Sequence, residues 1–180
     1  KQFWAARTGF ENQMKKLIVA ESDAEFDKEL AALDAYAIEN GFDENFANHV
    51  KSCILTHRYR KNTPPQTIEA KILFDADKID VAGLCGIART LLYKGNVQAP
   101  LYIVNDGKIS KGDGVGEVSF FQEYKYKLEN IYDRFFTERG RQIAAKRRKD
   151  AEIFYNNLYG EVSEFYESGN EMLFSMLEKD

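Results

Sequence analysis

Residues 24–40 have the sequence A-E-F-D-K-E-L-A-A-L-D-A-Y-A-I-E-N, in which apolar side chains recur every three or four positions. This spacing predicts an amphipathic helix with one apolar face. The residues on that face are Phe26, Leu30, Leu33 and Ala37. Ser22, followed three positions later by Glu25, predicts a capping box at the start of the helix, and Gly41 predicts its end.

The helical pattern continues through most of the chain. Further helices are predicted over residues 43–59, 65–77, 81–93, 117–136 and 137–167. Residues 95–116 concentrate the glycines of the chain and predict an exposed loop. We therefore expect an all-α fold, in which residues 1–180 form a single-domain helical bundle that contains this loop. We expect its core to contain Phe26, Leu30, Leu33, Val50, Ile54, Leu73, Ile87, Leu91, Leu128, Ile131 and Ile143.

Composition excludes several functional classes. Of 180 residues, 44% are hydrophobic and 30% are charged, which is typical of globular proteins. No apolar run approaches the ~18–20 residues of a membrane helix, so we expect no membrane partner. The net charge of −4 makes nucleic acid an unfavourable partner. Cys53 and Cys85 are isolated, as is typical of small buried side chains in a reducing compartment, and we expect a cytoplasmic protein.

Acidic residues cluster at 75–80, with the sequence D-A-D-K-I-D. Asp77 and Asp80 are three positions apart and can share one helix face, whereas Asp75 points elsewhere. Carboxylates grouped in this way suit a divalent metal ion, and a nearby His widens the choice among transition metals. Taken alone, however, such a cluster is more often a helix cap with surface ion pairs than a site.

Several motifs occur here in a characteristic order. They are H-R-Y-R at 57–60, Pro64, I-E-A-K-I-L at 68–73, D-A-D-K-I-D at 75–80 and G-I-A-R at 86–89. This order resembles the short, stand-alone HD-domain metal-dependent phosphohydrolases of bacteria, over roughly residues 31–166. The resemblance implies a helical bundle of the HD-domain type that hydrolyses phosphate ester or anhydride bonds, often those of nucleotides.

The resemblance also implies roles for individual residues. Asp77 matches the distal metal ligand of the family, and His57 matches a histidine that binds phosphate or a second metal. Lys78 stands where the family usually has Arg, and His57 and Lys78 are the implied catalytic residues. The implied substrate-binding residues are Arg58, Arg60 and Asp80. The implied cofactor is a divalent metal ion, with manganese, iron, nickel, cobalt, magnesium and zinc not distinguished.

The sequence departs from the family pattern at one point, because it contains no His-Asp pair. Two explanations follow. Either the helices that carry the first His and the His-Asp pair lie outside this sequence, or the protein is a degenerate homologue without the metal site. The first predicts, in the complete chain, a metal-dependent phosphohydrolase of nucleotides or other phosphorylated small metabolites. The second predicts an HD-fold binding or interaction module. The aromatic-rich C-terminal helices are expected in the core or at the surface of a homodimer.

Overall fold

A computed structural model describes residues 2–20, 22–57, 63–114, 116 and 118–178. Most of these residues are helical, which confirms the predicted all-α fold. The helices are α1 (Gln2–Val19), α2 (Asp23–Glu39), α3 (Glu44–His57), α4 (Ile68–Asp80), α5 (Gly83–Asn96), α6 (Phe120–Glu123) and α7 (Glu138–Leu177). Among the described residues, none of these helices combines the length and hydropathy that crossing a bilayer requires.

Local sequence signals set the boundaries of several helices. The Ser22 side chain accepts a hydrogen bond from the Glu25 N–H at 3.1 Å, so the predicted N-cap of α2 is confirmed. Gly41 has φ +67°, the left-handed conformation expected just after a helix. Thr137 caps α7 in the same way by accepting the Gly140 N–H at 3.0 Å.

The single helix predicted over residues 117–136 is wrong. The structure has the short α6 and then a π-helical turn over Tyr124–Leu128. Asn130 ends this segment, because its side-chain amide donates to the carbonyl oxygens of Lys125 (2.7 Å) and Tyr126 (3.4 Å). These carbonyls would otherwise lack partners at the helix end. By contrast, α7 continues ten residues beyond the predicted end at residue 167.

The described residues form two compact units, residues 1–74 and 75–180, each with its own hydrophobic core. The boundary falls within α4, and the prediction of a single domain stays a prediction. In the first unit, α1, α2 and α3 enclose a core whose buried members are Phe10, Leu17, Ala20, Phe26, Leu33, Ala37 and Ile54. Of the predicted core residues in this unit, Leu30, Val50 and Leu73 are only partly buried.

Aromatic side chains from α6, the π-helical turn and α7 dominate the core of the second unit. The rings of Tyr124 and Tyr155 are stacked, with centroids 4.2 Å apart and planes 7° apart. Predicted core residues Ile87, Leu128 and Ile131 are buried, whereas Leu91 and Ile143 are partly buried. Cys53 is buried as expected, but the expectation for Cys85 is wrong, because it lies on the exposed side of α5.

Residues 95–116 contain a small hairpin. Strands β1 (Val104–Asn105) and β2 (Lys108–Ile109) pair antiparallel through a turn at Asp106 and Gly107, both with positive φ. Two tyrosines of α7 hold the end of this segment. Tyr155 donates to the Lys111 carbonyl at 2.5 Å, and Tyr159 donates to the Ile109 carbonyl at 3.3 Å. The segment is thus anchored at its C-terminal end, whereas its turn is exposed.

Candidate functional site

The acidic cluster predicted from the sequence lies in the last two turns of α4. Successive residues of an α-helix are rotated by about 100°, so Asp75 and Asp77 project to nearly opposite sides. Asp75 is buried, with 3% of its surface exposed. The Asp77 side chain is 47% exposed. The two carboxylates therefore serve different purposes, although only one residue separates them.

Asp75 anchors the start of α7. Its Oδ1 accepts the Phe136 N–H at 2.9 Å, and its Oδ2 accepts the Thr137 N–H at 2.8 Å and the Thr137 hydroxyl at 2.5 Å. The Thr137 hydroxyl oxygen in turn accepts the Gly140 N–H. A Cβ added at Gly140 would lie 2.3 Å from Asp75 Oδ2, so glycine is required for this close approach.

Asp77 and Asp80 face charged side chains at the solvent-exposed side of the cluster. The Lys78 ammonium lies 2.6 Å from Asp77 Oδ2, and its side chain is only 16% exposed. The Arg89 guanidinium of α5 donates to Asp80 Oδ2 at 2.6 Å, and both side chains are largely exposed. The structure thus brings Asp77, Lys78 and Asp80 together at the C-terminal end of α4, with Arg89 beside them.

Arg147 of α7 also reaches this end of α4. Its Nη1 donates to the Ile79 carbonyl oxygen at 2.7 Å. The side chain passes over Gly83, where an added Cβ would lie 2.8 Å from Arg147 Cβ. Because a cation at a helix C-terminus interacts favourably with the helix dipole, this contact stabilises the last turn of α4.

His57 lies at the end of α3, in the other compact unit, where it is buried. Its Nδ1 is in close contact with the Ile54 carbonyl oxygen. A proton on Nδ1 makes this contact a hydrogen bond. The predicted substrate-binding residues Arg58 and Arg60 lie outside the described residues. The roles predicted for all three residues stay predictions.

The described residues do not by themselves fit a divalent metal ion. Metal ions require several donor atoms around them, and Asp77 supplies one carboxylate, which is paired with Lys78. Within the ranges that the structure describes, no group of three His, Cys, Asp or Glu side chains could hold a metal. The assignment of Asp77 as a metal ligand therefore stays a prediction.

Sequence reasoning missed the function of Asp75 and the contact of Arg147. The pattern indicated that Asp75 faces away from Asp77, which is correct, but not what it binds. One signal was present, because Thr137 was identified as the start of a helix and its hydroxyl is part of the network. Nothing in the sequence showed that this helix start lies beside α4.

Solved structures share this fold, although no protein-family model matches the chain and no curated protein matches it significantly. The Lin1889 protein from Listeria innocua is 20% identical, with a TM-score of 0.62 over 89% of this chain and 95% of that chain. YpgQ from Bacillus subtilis, solved in complex with ADP, is 21% identical, with a TM-score of 0.60 over 81% of this chain and 68% of its own.

An HD-superfamily hydrolase from Bacillus thuringiensis is 26% identical, with a TM-score of 0.55. The match covers 73% of this chain and 61% of that chain. These likenesses agree with the helical architecture. The chain has the all-α fold of the HD superfamily.

Proposed function

We propose that this chain is part of a phosphohydrolase that acts on nucleotides or on other phosphorylated small metabolites. The observation that carries the proposal is the group of charges at the end of α4, where Asp77, Lys78, Asp80 and Arg89 lie together. The shared fold and the complex of YpgQ with ADP support it.

Two cations in this group could bind a phosphoryl group. Lys78 supplies an ammonium close to the Asp77 carboxylate, and Arg89 supplies an exposed guanidinium whose planar donors match phosphate oxygens. Positive charge placed beside a phosphoryl group offsets the negative charge that develops during hydrolysis. His57, Arg58 and Arg60 are the further residues proposed to contact the phosphate.

Asp77 is proposed to supply one ligand of a divalent metal ion, which is manganese, iron, nickel, cobalt, magnesium or zinc.

Phosphate release tests the proposal. The full chain is incubated with ADP, ATP and a set of phosphorylated sugars, with and without each of the six metals, and inorganic phosphate is measured. We expect metal-dependent release that D77N abolishes and K78A lowers. The matched control is D106N, because Asp106 lies in the exposed hairpin turn with a positive φ that Asn tolerates. If D77N releases phosphate at the wild-type rate, Asp77 is not part of the site.

A second candidate is a binding module without catalysis. It is favoured by one observation, namely that the described residues contain no group of three ligands for a metal. Titration of ADP into the full chain by calorimetry separates the two candidates. Binding without phosphate release under any metal supports the module, whereas release supports the hydrolase.

A further inference from the structure

We propose that Asp75 and Arg147 are positioning residues, which together hold the Asp77–Lys78 segment of α4 in the orientation that nucleotide binding requires. This inference rests on the proposed function, because it concerns the same group of charges. It concerns different residues, however, since neither Asp75 nor Arg147 is proposed to touch substrate.

The two contacts run in opposite directions between α4 and α7. Asp75, from α4, holds the N-terminus of α7 through Phe136 and Thr137, and Arg147, from α7, holds the C-terminus of α4 through Ile79. Each charge has the sign that the neighbouring helix dipole favours, negative at an N-terminus and positive at a C-terminus. The two helices therefore cap each other reciprocally.

The two contacts are attached to α4 on either side of Asp77 and Lys78. Asp75 and Ile79 are four residues apart, which is about one helical turn. Asp77 and Lys78 lie between them. Because both ends of this turn are bonded to residues at or in α7, the bonds oppose its rotation and fraying, and Asp77 projects to the side of α4 roughly opposite Asp75.

The contacts of Asp75 are suited to holding a fixed geometry. The carboxylate is buried and accepts three hydrogen bonds, from two backbone N–H groups and the Thr137 hydroxyl. Bonds to a buried charge are stronger than neutral bonds and have narrow geometry. Such bonds are suited to fixing an orientation, and small displacements of binding groups are costly.

The experiment measures ADP affinity of the full chain by calorimetry in variants of the network. We expect D75N and G140A to weaken ADP binding at least roughly tenfold, as loss of supporting contacts does in other sites. G140A is informative because alanine favours a helix, yet its Cβ would meet Asp75 Oδ2. T137S keeps the hydroxyl and should bind ADP as the wild type does, whereas T137V should not.

The matched control is L128A, which creates a cavity in the core of the same unit and makes none of these hydrogen bonds. It should lower the melting temperature and leave ADP affinity unchanged in the folded protein. If L128A weakens ADP binding as much as D75N does, Asp75 acts through stability alone and the inference is wrong. Wild-type affinity in both D75N and G140A would also overturn it.

If the proposed function is wrong, the wild type itself does not bind ADP. In that case, amide hydrogen exchange at residues 76–80 tests whether Asp75 and Arg147 hold this turn. Faster exchange there in D75N and R147M, with L128A unchanged at the same amides, shows that the two residues hold this turn. Unchanged exchange in D75N and R147M overturns the inference.

Discussion

The Lys94 ammonium lies 3.2 Å from the Glu123 carboxylate, and this ion pair joins α5 to α6 with little access to solvent. The side chains are 10% and 26% exposed, respectively. Lys127 approaches the other carboxylate oxygen at 3.1 Å, so Glu123 is held by two cations. Burial opposes ionisation of Glu123, but hydrogen bonds and charge from Lys127 and Lys94 outweigh it and lower its pKa below the usual 4.5.

Because Glu123 is paired with Lys94 and Lys127, we expect the stability of the protein to depend on pH. Because the pKa of Glu123 is lower in the folded state, its contribution is complete well above pH 4.5 and is lost as the pH falls through the folded-state pKa. We expect E123Q to lower the free energy of unfolding by about 1.5–3 kcal/mol at pH 7. Urea unfolding at pH 7 and at several values below 4.5 checks this. A difference between wild type and variant that does not shrink on acidification contradicts it.

Replacement of Asp75 should reduce the stability of the protein much more than replacement of Asp77. D75A removes a buried carboxylate and leaves three partly buried donors without their acceptor, and we expect it to lower the free energy of unfolding by about 2–5 kcal/mol. D77A removes a half-exposed ion pair, and we expect a change of less than about 1 kcal/mol. Under the proposed function, D77A nevertheless abolishes phosphate release. Equal destabilisation by the two variants, measured by urea unfolding, would show that the exposed pair is structural.

Gly112 should not tolerate a side chain. It has φ +80°, and an added Cβ would lie 2.2 Å from the Phe121 carbonyl carbon, which is backbone and cannot move aside. Gly107 has φ +74° with nothing within 4 Å, so it provides the matched control. We expect G107A to cost about 1–2 kcal/mol from backbone conformation alone. G112A should cost a further 1–3 kcal/mol, roughly, from the clash. Similar melting temperatures for the two variants would rule out this close approach.

The hydroxyl and the ring of Tyr155 should contribute separately. Y155F removes the hydrogen bond to the Lys111 carbonyl but keeps the stack on Tyr124, and we expect it to cost about 1 kcal/mol. Y155A also removes the buried ring and should cost about 3–5 kcal/mol. Y126F is the control, because Tyr126 is exposed. Thermal unfolding measures all three, and a Y155F variant as stable as Y126F would mean that the bond to the loop contributes nothing.

The sequence by itself determined the features that depend on neighbouring residues. Ser22 and Thr137 cap helices because a hydroxyl reaches an N–H three positions later, whatever the rest of the chain does. Periodic apolar residues specify a helix and its buried face, which is why Phe26, Leu33 and Ile54 are in the core as predicted. The three-residue spacing of Asp77 and Asp80 likewise predicts that they share one helix face at the end of α4.

Only the tertiary structure decided what these elements contact. Asp75 binds backbone groups 61 and 62 residues away, and Arg147 binds a carbonyl 68 residues away. No periodicity in the sequence encodes such pairs, because they depend on how packed cores bring distant segments together. The break after Leu128 has one tertiary and one local cause. Burial of Tyr124 against the distant Tyr155 is tertiary, whereas Asn130 bonds to carbonyls only four and five residues before it.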